Sequence, residues 1–329
     1  MRSNIMSRLL APAWLALAFG CLAPVSLASG AEPPLRMIVP LAPGATADVA
    51  ARILGQHFSQ ATGRPVIVEN LPSAAGVPGT AQIVRAPKDG SVLGMVASNH
   101  VINPAMAGGR AAPFDPLADI TPITVVASFP LVLVAVPSLP VHGLQDLLAL
   151  ARTRPGALNY GSGGNGSILH LATELLRVEA GGLDVQHVPY NGSAQMTADL
   201  LRHQIQFGFL ALTVAQPLVK SGKLRALGVS TLTRSGLMPD VPTLAEQGLP
   251  RYNVDAWVAL VGPANMAPAL VARQHALVRA ALDAPAVRAA LARQGMTVIG
   301  DDPANAAAFF ATELARYKAL VRQSGAALD

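Results

Sequence analysis

Short apolar runs alternate with helical patterns along most of the chain from residue 35 onwards. Residues 35–39, 66–68 and 92–97 are brief apolar segments, which is typical of buried strands. The apolar face of a helix between the first two segments is formed by Val49, Ile53, Leu54, Phe58 and Ala61. A second helical pattern covers residues 79–84. This alternation predicts a parallel sheet covered by helices.

The longest β-branched run of the chain covers residues 123–136 and is interrupted only by Pro130. Because this run exceeds the length of an ordinary strand, we predict two strands that meet near residues 128–130. We expect the chain to pass from one lobe to another at this point.

A second α/β series follows the proposed crossing. The predicted helices are residues 144–151, 168–178 and 193–201, and the predicted strands are residues 158–160, 185–188, 206–210 and 224–229. A proline-rich segment, residues 239–250, then leads into residues 252–261, a candidate return crossing. Helical periodicity resumes at Pro268 and continues into a long C-terminal helix marked by Phe310, Leu314, Tyr317 and Val321.

These elements predict an α/β fold of two lobes with a ligand cleft between them and two interlobe crossings. The first lobe would combine residues 32–129 with residues 253–329, and the second would contain residues 130–252. Loops that run from the end of a strand to the start of a helix face such a cleft, where the ligands of open α/β sheets usually bind.

The first 31 residues have the three-part pattern of a secretory signal. Arg2 and Arg8 precede an uncharged, mostly apolar run over residues 9–27, and small residues follow that run. We expect cleavage after Ala28 or Ala31 and export to the periplasm. A retained membrane anchor is the alternative, since the run is nearly long enough to span a bilayer.

Composition narrows the class of protein. Cys21 is the only cysteine, so a mature form cut after it has no disulfide, thiol nucleophile or cysteine metal site. The residues before Cys21 only loosely resemble a lipoprotein cleavage site. The formal net charge of +5 includes Arg2 and Arg8; without them, 22 basic residues face 19 acidic ones, a charge of +3. No basic run of the kind found in nucleic-acid-binding proteins occurs.

The segment from Tyr160 to Leu171 is the first candidate binding loop. Its glycines, serines and one asparagine lie between an extended segment and a helical pattern, with Asn165 or Ser167 as N-cap. The first amides of a helix have no internal partner, and the helix dipole adds partial positive charge there. The loop therefore predicts an anion site for a carboxylate or phosphate, with an ordinary capped surface loop as the alternative.

The same loop also matches a dinucleotide-binding pattern, Gly161-x-Gly163-x-x-Gly166, with Asp184 at a suitable distance. That spacing alone is a weak signal. The export signal argues against it, because dinucleotide cofactors are mainly a cytoplasmic resource. We therefore predict no cofactor.

A second loop of this kind follows the first predicted strand. Pro43-Gly44 predicts a tight turn, and Thr46 and Asp48 stand where the next helix begins. Two donor-rich loops on facing lobes could bind the two ends of a small dianion; two ordinary strand-to-helix turns are the alternative.

A series of short motifs runs along nearly all of the predicted mature chain: Pro43-Gly44 with Asp48-x-x-Ala-Arg52, Val68-Glu-Asn70, Pro87-Lys-Asp-Gly90, Ile102-Asn-Pro104, Gly164-Asn-Gly-Ser167-x-x-His-Leu171, His187-Val-Pro-Tyr190, Gly222-Lys-Leu-Arg-Ala-Leu227 and Pro239-Asp-Val-Pro-Thr243. With these motifs the sequence resembles the Bug-type, or TctC-like, periplasmic solute receptors of tripartite tricarboxylate transporters. The order of the motifs is specific, although single motifs are not.

The resemblance implies a type II periplasmic-binding-protein fold that closes over one small carboxylate. In such receptors backbone amides, hydroxyls and ordered water hold the carboxylate, without an obligatory Arg or Lys. The partners it implies are the membrane subunits of a transporter, and we expect a monomer. A sensor kinase as partner is an alternative that the sequence does not separate.

Carried over by motif, the ligand-binding residues fall in two loops and one strand end. The first loop contributes Pro43, Gly44, Ala45, Thr46 and Asp48, and the second contributes Ser162, Asn165, Gly166 and Ser167. Ser98 and Asn99 are further candidates after a strand end. We expect Asp48 to cap and order its loop and His170 to be a core or hinge contact.

Two departures from the family pattern bear on specificity. The first loop has Ala45 and Ala47 where relatives commonly carry a glycine and a threonine. Leu210 stands where many relatives have an acidic residue, and neither Ala211 nor Leu212 replaces the charge. The hypothesis is a receptor for a carboxylate without an amino group.

Catalysis finds little support in the sequence. The seven histidines are scattered, with no spacing suited to a metal site, and His170 and Glu174 on one helix face are interpreted as a surface pair. No G-x-S-x-G motif or G-K-[ST] phosphate loop occurs. A secreted hydrolase that uses Ser162 or Ser167 stays a remote alternative, and we predict no catalytic or metal-binding residue.

Overall fold

The structure is a computed structural model that describes residues 33–72, 76–107 and 114–324. The predicted signal at residues 1–31, with Cys21 and both candidate cleavage positions, lies outside the described residues. None of the described helices is long and apolar enough to cross a membrane.

The described strands form one mixed sheet. They are Leu35–Val39 (β1), Val66–Asn70 (β2), Val92–Ala97 (β3), Ile120–Ala135 (β4), Asn159–Ser162 (β5), Gln186–Pro189 (β6), Phe207–Ala211 (β7), Arg225–Val229 (β8), Asp255–Pro263 (β9) and Thr297–Val298 (β10). The order is β2-β1-β3-β9-β4-β7-β5-β6, and β8 and β10 both pair with β4. The predicted α/β class with parallel strands is confirmed, since β1 pairs in parallel with β2 and β3, and β5 with β6 and β7.

The helices alternate with these strands. They are Thr46–Thr62 (α1), Val77–Val84 (α2), Asn99–Met106 (α3), Leu144–Thr153 (α4), Ile168–Glu179 (α5), Ser193–Leu201 (α6), Leu212–Lys220 (α7), Pro268–Asp283 (α8), Pro285–Arg293 (α9) and Pro303–Ser324 (α10). Sequence patterns did not predict α3 and α7, which begin within two residues of a strand end and contain Pro104 and Pro217.

The prediction of two strands in residues 123–136 is wrong, because β4 is one continuous strand of 16 residues. It changes partners along its length: from Ile120 to Pro130 it pairs with β9, and from Leu131 to Ala135 it pairs with β7. Pro130 is compatible with a continuous strand because it falls where the partner changes, so its missing N–H interrupts neither ladder.

The change of partner divides the sheet into two halves. The first half contains β1, β2, β3, β9, β10 and β4 up to Pro130; the second contains β4 from Leu131, with β5, β6, β7 and β8. The first proposed crossing, at residues 128–130, lies at this change of partner, whereas the proposed return crossing, residues 252–261, runs into β9 of the first half. The lobe boundaries themselves stay a prediction.

Helices cover both faces of the central strands. In β9, Ala256, Val258 and Leu260 belong to one buried cluster, while Trp257, Ala259 and Val261 belong to another. Since successive side chains of a strand point to opposite faces, the two clusters lie on opposite sides of the sheet. The first cluster includes Leu54 and Phe58 of α1, and the second includes Phe310 and Tyr317 of α10.

Candidate functional site

A cavity of about 200 Å³ lies where the two halves of the sheet meet. Phe129 and Leu131, on either side of the change of partner in β4, form part of its wall together with Ala256 and Trp257 of β9. Residues of both halves line it, as expected for the predicted cleft. The volume suits a small molecule rather than a dinucleotide.

Five helices begin at this cavity. The N-cap residues of α1, α3, α5, α6 and α7 all line it, and they are Ala45, Ser98, Ser167, Gly192 and Ala211. Each helix follows a parallel strand of its own half of the sheet, so the helix starts gather at the carboxyl edge of the strands. Their dipoles give the wall a positive potential that favours an anion.

The wall carries no charged side chain among the described residues. Its polar side chains come from Thr46, Ser98, Asn99, Ser167, Ser193, Thr213, Trp257 and Gln294, and the rest are glycine or apolar. Among the N-caps of these five helices, only Ser167 bonds its own helix through its side chain, as an acceptor from the His170 amide at 3.2 Å. The donors around the cavity are therefore mainly neutral hydroxyls, amides and helix termini.

Asp48 does not line the cavity but stabilises the first loop, which contains Gly44, by hydrogen bonds. The Gly44 amide donates to Asp48 Oδ2 at 2.9 Å, Asn70 Nδ2 donates to Asp48 Oδ1 at 2.9 Å, and Arg52 Nη2 lies 2.9 Å from the same oxygen. Burial acts to raise the pKa of Asp48, but the hydrogen bonds from Arg52, Gly44 and Asn70 outweigh it and hold the pKa below its ordinary value. The carboxylate is thus neutralised within the protein, as expected for a loop-ordering residue.

Gly44 is needed for this turn, because its φ of 81° lies in the left-handed region that other residues rarely adopt. In that conformation its amide donates to the Asp48 carboxylate. The same turn places Ala45 and Thr46 at the cavity.

Buried aromatic rings and the hydrogen bonds of Ser162 stabilise the second loop. Ser162 Oγ lies 2.7 Å from His187 Nε2 and accepts from the Gly164 amide at 3.1 Å. Tyr160 stacks on His187, with ring centroids 4.8 Å apart. Although Ser162 and His187 form a serine–histidine pair, the serine is fully buried and is not presented to a substrate.

The interpretation of His170 and Glu174 as a surface pair is wrong. Their exposed fractions are 5% and 2%. The Tyr160 hydroxyl donates to Glu174 Oε1 at 2.7 Å, and Arg177 Nη1 donates to the same oxygen at 2.8 Å. The helical pattern correctly placed both residues on one face of α5, but it could not show that this face is buried against Tyr160.

The structure brings most of the predicted site residues to one cavity. Its wall includes Gly44, Ala45, Thr46, Ser98, Asn99, Ser167 and Leu210. Within the described part of the chain, the cavity wall does not include Pro43, Asp48, Ser162, Asn165 and Gly166. Of these, Asp48 and Ser162 bond the loops internally, so they stabilise the backbone that faces the cavity.

Sequence reasoning missed several lining residues. Gly163 lies in the loop before α5 and Ser193 is the first residue of α6, and applying the argument for the first two loops to every strand-to-helix connection would have found them. Thr213 lies in the first turn of α7, which begins directly after β7 without a connecting loop. Gln294 at the end of α9 and Phe129 in β4 carry no local signal, because only the tertiary fold brings them to the cavity.

The protein-family model described as the tripartite tricarboxylate transporter family receptor, TctC, matches residues 50–326. That match begins within α1, so it leaves out β1 and the first loop but covers the other strands of both halves and most of the lining residues. The chain belongs to this family. It is therefore a solute-binding receptor rather than an enzyme.

Relatives agree with this assignment along almost the whole chain. BugT of Bordetella pertussis is 34% identical over 324 residues, which cover 98% of this chain and 99% of BugT. A protein of R. palustris solved with adipate is 29% identical, with a TM-score of 0.85, and 90% of this chain and 98% of that one are covered. MatC from Rhodopseudomonas palustris, solved with malate, is 26% identical, with a TM-score of 0.80. The match covers 88% of this chain and 99% of MatC.

These likenesses confirm the predicted fold class of the TctC family receptor. Its mixed sheet with helices on both faces is the fold of periplasmic binding proteins, including BugD, which has a TM-score of 0.82 at 25% identity. The cavity of this TctC family receptor lies between the two halves of that sheet.

Proposed function

We propose that this receptor binds a small carboxylate without an amino group and delivers it to a tripartite tricarboxylate-type transporter. The observation that carries the proposal is the meeting of five helix N-caps at a cavity whose described wall has no charged side chain. Amides at helix starts bind anions without an arginine or lysine. The adipate and malate bound by two structural neighbours are carboxylates of suitable size.

The neutral wall argues against an amino-acid ligand. An ammonium group buried in a cavity needs a carboxylate or several acceptors to offset the loss of its hydration. Leu210 and Ala211, which follow the second Phe of β7, belong to the wall and carry no charge. The helix dipoles add positive potential, which disfavours a cation further.

Binding by closure follows from the shared wall. Thr46 and Asn99 belong to the first half of the sheet, whereas Ser167 and Thr213 belong to the second. A ligand that contacts both halves binds the closed form more tightly than the open form, and so shifts the population towards closure. The closed surface is then the form that a transporter subunit would recognise.

The location rests on the predicted signal at residues 1–31 and on relatives described as periplasmic. In that compartment the receptor would collect its solute outside the inner membrane. Its partner would be the membrane subunits of the transporter named in the family description.

Two measurements test the function together. Mass spectrometry of small molecules released from the purified, denatured receptor should reveal a carboxylate. Calorimetry should then show that aspartate and glutamate bind more weakly than succinate and glutarate, their deaminated analogues. Tighter binding of the amino acids, or release of a cationic or neutral ligand alone, would overturn the proposal.

A further inference from the structure

One polar group of the cavity wall comes from a remote part of the chain. Gln294, the C-cap of α9, lines the cavity together with Thr213 in the first turn of α7. A Cβ atom on the adjacent Gly295 would lie 3.5 Å from Leu212 Cδ2 and 3.6 Å from Thr213 Cγ2. The end of α9 therefore packs directly on the start of α7.

The Gln294 carboxamide and the Thr213 hydroxyl make no hydrogen bond to any other group in residues 33–72, 76–107 and 114–324. Both residues are half-buried at the cavity. Because they face the cavity without a bond to the described residues, these two groups can bond a ligand or water. By contrast, Ser98 and Ser167 already accept bonds from the amides of Trp257 and His170.

These two groups come from opposite halves of the sheet. Thr213 follows β7, which pairs with residues Leu131–Ala135 of β4. Gln294 precedes β10, which pairs with Ser128 and Ala127 of the same strand. They therefore lie on either side of the change of partner in β4, and a ligand group bound by both bridges the two halves.

A separate polar patch is formed by the starts of α5 and α6. A Cβ atom on Gly163 would lie 3.7 Å from both Ser167 Oγ and the Ser193 amide nitrogen, so these two helix starts are adjacent. The cavity thus has two donor groups built from different elements. A ligand with oxygen atoms at both ends could use one group for each end.

We propose that Thr213 and Gln294 form a second subsite, which binds a carboxylate at the far end of the ligand, and that Gln294 is a specificity-determining residue. This inference rests on the proposed function, since it requires a first carboxylate at the other helix starts. The subsite offers the Gln294 NH₂ group, the Thr213 hydroxyl and the amides of the first turn of α7 as donors. An apolar chain end would leave these donors unsatisfied.

The test compares dicarboxylates with monocarboxylates of equal chain length. Calorimetry would use succinate, glutarate, adipate and suberate against butanoate, pentanoate, hexanoate and octanoate. The receptors are wild type, Gln294→Leu, Gln294→Glu and the control Gln56→Glu, which places the same charge change on the exposed face of α1. Thermal melting without ligand checks that each variant is folded.

We expect wild type to bind its best dicarboxylate at least about tenfold more tightly than the matching monocarboxylate. Gln294→Leu should lower that preference about tenfold and leave monocarboxylate affinity within about threefold of wild type. Gln294→Glu should weaken dicarboxylate binding by about a hundredfold or more through like-charge repulsion. Gln56→Glu should match wild type.

The outcomes distinguish a failure of the subsite from a failure of the proposed function. If carboxylates bind wild type without a preference for the second carboxylate, or if both Gln294 variants keep it, the function stands and the subsite is overturned. If no member of either series binds wild type, the proposed function fails and the subsite fails with it. Should Gln294→Glu not fold, Gln294→Leu decides alone.

Discussion

The imidazole rings of His170 and His187 stack almost in parallel, with centroids 4.1 Å apart and an angle of 3° between their planes. His170 lies in α5, directly after the glycine-rich loop, and His187 lies in β6. His187 also reaches Ser162 Oγ at the start of that loop. The stack therefore fixes both ends of the loop that contributes Gly163 and Ser167 to the cavity.

His187→Phe should separate the two roles of this ring. The substitution keeps an aromatic ring in the stack but removes the bond to Ser162, so we expect a loss of about 1 kcal/mol in the free energy of unfolding. His187→Ala loses the stacking as well and should cost about 2–3 kcal/mol. Urea unfolding measures both. Equal losses in the two variants would mean that the stacking contributes nothing.

Ala211→Asp should reverse the preference for anions without harming the fold. Ala211 is the N-cap of α7, where aspartate is a favoured capping residue, so stability should stay the same or rise by about 1 kcal/mol. The added negative charge at the cavity should weaken carboxylate binding by about a hundredfold or more. Ala211→Asn, a neutral cap of similar size, is the control. Unchanged calorimetric affinity in a folded Ala211→Asp receptor would place the anion away from α7.

Gly163→Ala should reduce binding while leaving the fold intact. The new methyl group would meet its nearest neighbours at 3.7 Å, an ordinary contact, so we expect a stability change below about 0.5 kcal/mol. It would stand between Ser167 and Ser193 and lower ligand affinity about tenfold.

Gly164→Ala provides the contrast to that variant. Gly164 has a φ of 112°, and its Cβ atom would lie 3.0 Å from the Tyr190 carbonyl oxygen. It should therefore lose about 1–3 kcal/mol of stability. Thermal melting together with calorimetry distinguishes the Gly163→Ala and Gly164→Ala receptors. Equal melting temperatures of the two would contradict the positive φ of Gly164.

His100 should make stability fall as pH is lowered. Burial lowers its pKa to about 4, although its bond to the Pro116 carbonyl oxygen opposes the shift. The unfolded chain binds a proton below a pH of about 6.5, whereas the native imidazole stays neutral until about 4. The native state should therefore lose about 2–3 kcal/mol between pH 7.5 and 4.5 relative to a His100→Leu variant. Parallel slopes of the two unfolding curves against pH would contradict this.

Much of the fold could be predicted from the sequence, because apolar residues recur with one period in strands and with another in helices. The bounds of β1 and β3 agree with their predicted ranges, since Leu35–Val39 and Val92–Ala97 are buried runs ended by proline or by a capping residue. Pro130 misled the prediction, because a proline is tolerated inside a strand when the partner strand changes beside it.

The candidate site was readable only in part. The loops before α1 and α5 have a local signature, Pro43-Gly44 in the first and several glycines in the second, whereas α7 begins directly after β7 with no glycine between them. Gln294 lies 81 residues beyond Thr213 in the chain, so only the folding of α9 onto α7 brings them together. Contacts of that kind depend on tertiary packing, and no periodic pattern in a single sequence predicts them.

The uncharged cavity wall has a consequence for proton linkage. Because no group that titrates near neutral pH lines the cavity in the described residues, the wall neither takes up nor releases protons when an anion enters. Affinity would then follow the ionisation of the ligand alone, and the heat of binding would not depend on the buffer. An exported receptor of this kind would keep its affinity while the pH of its surroundings varies, for as long as its carboxylate ligand stays ionised.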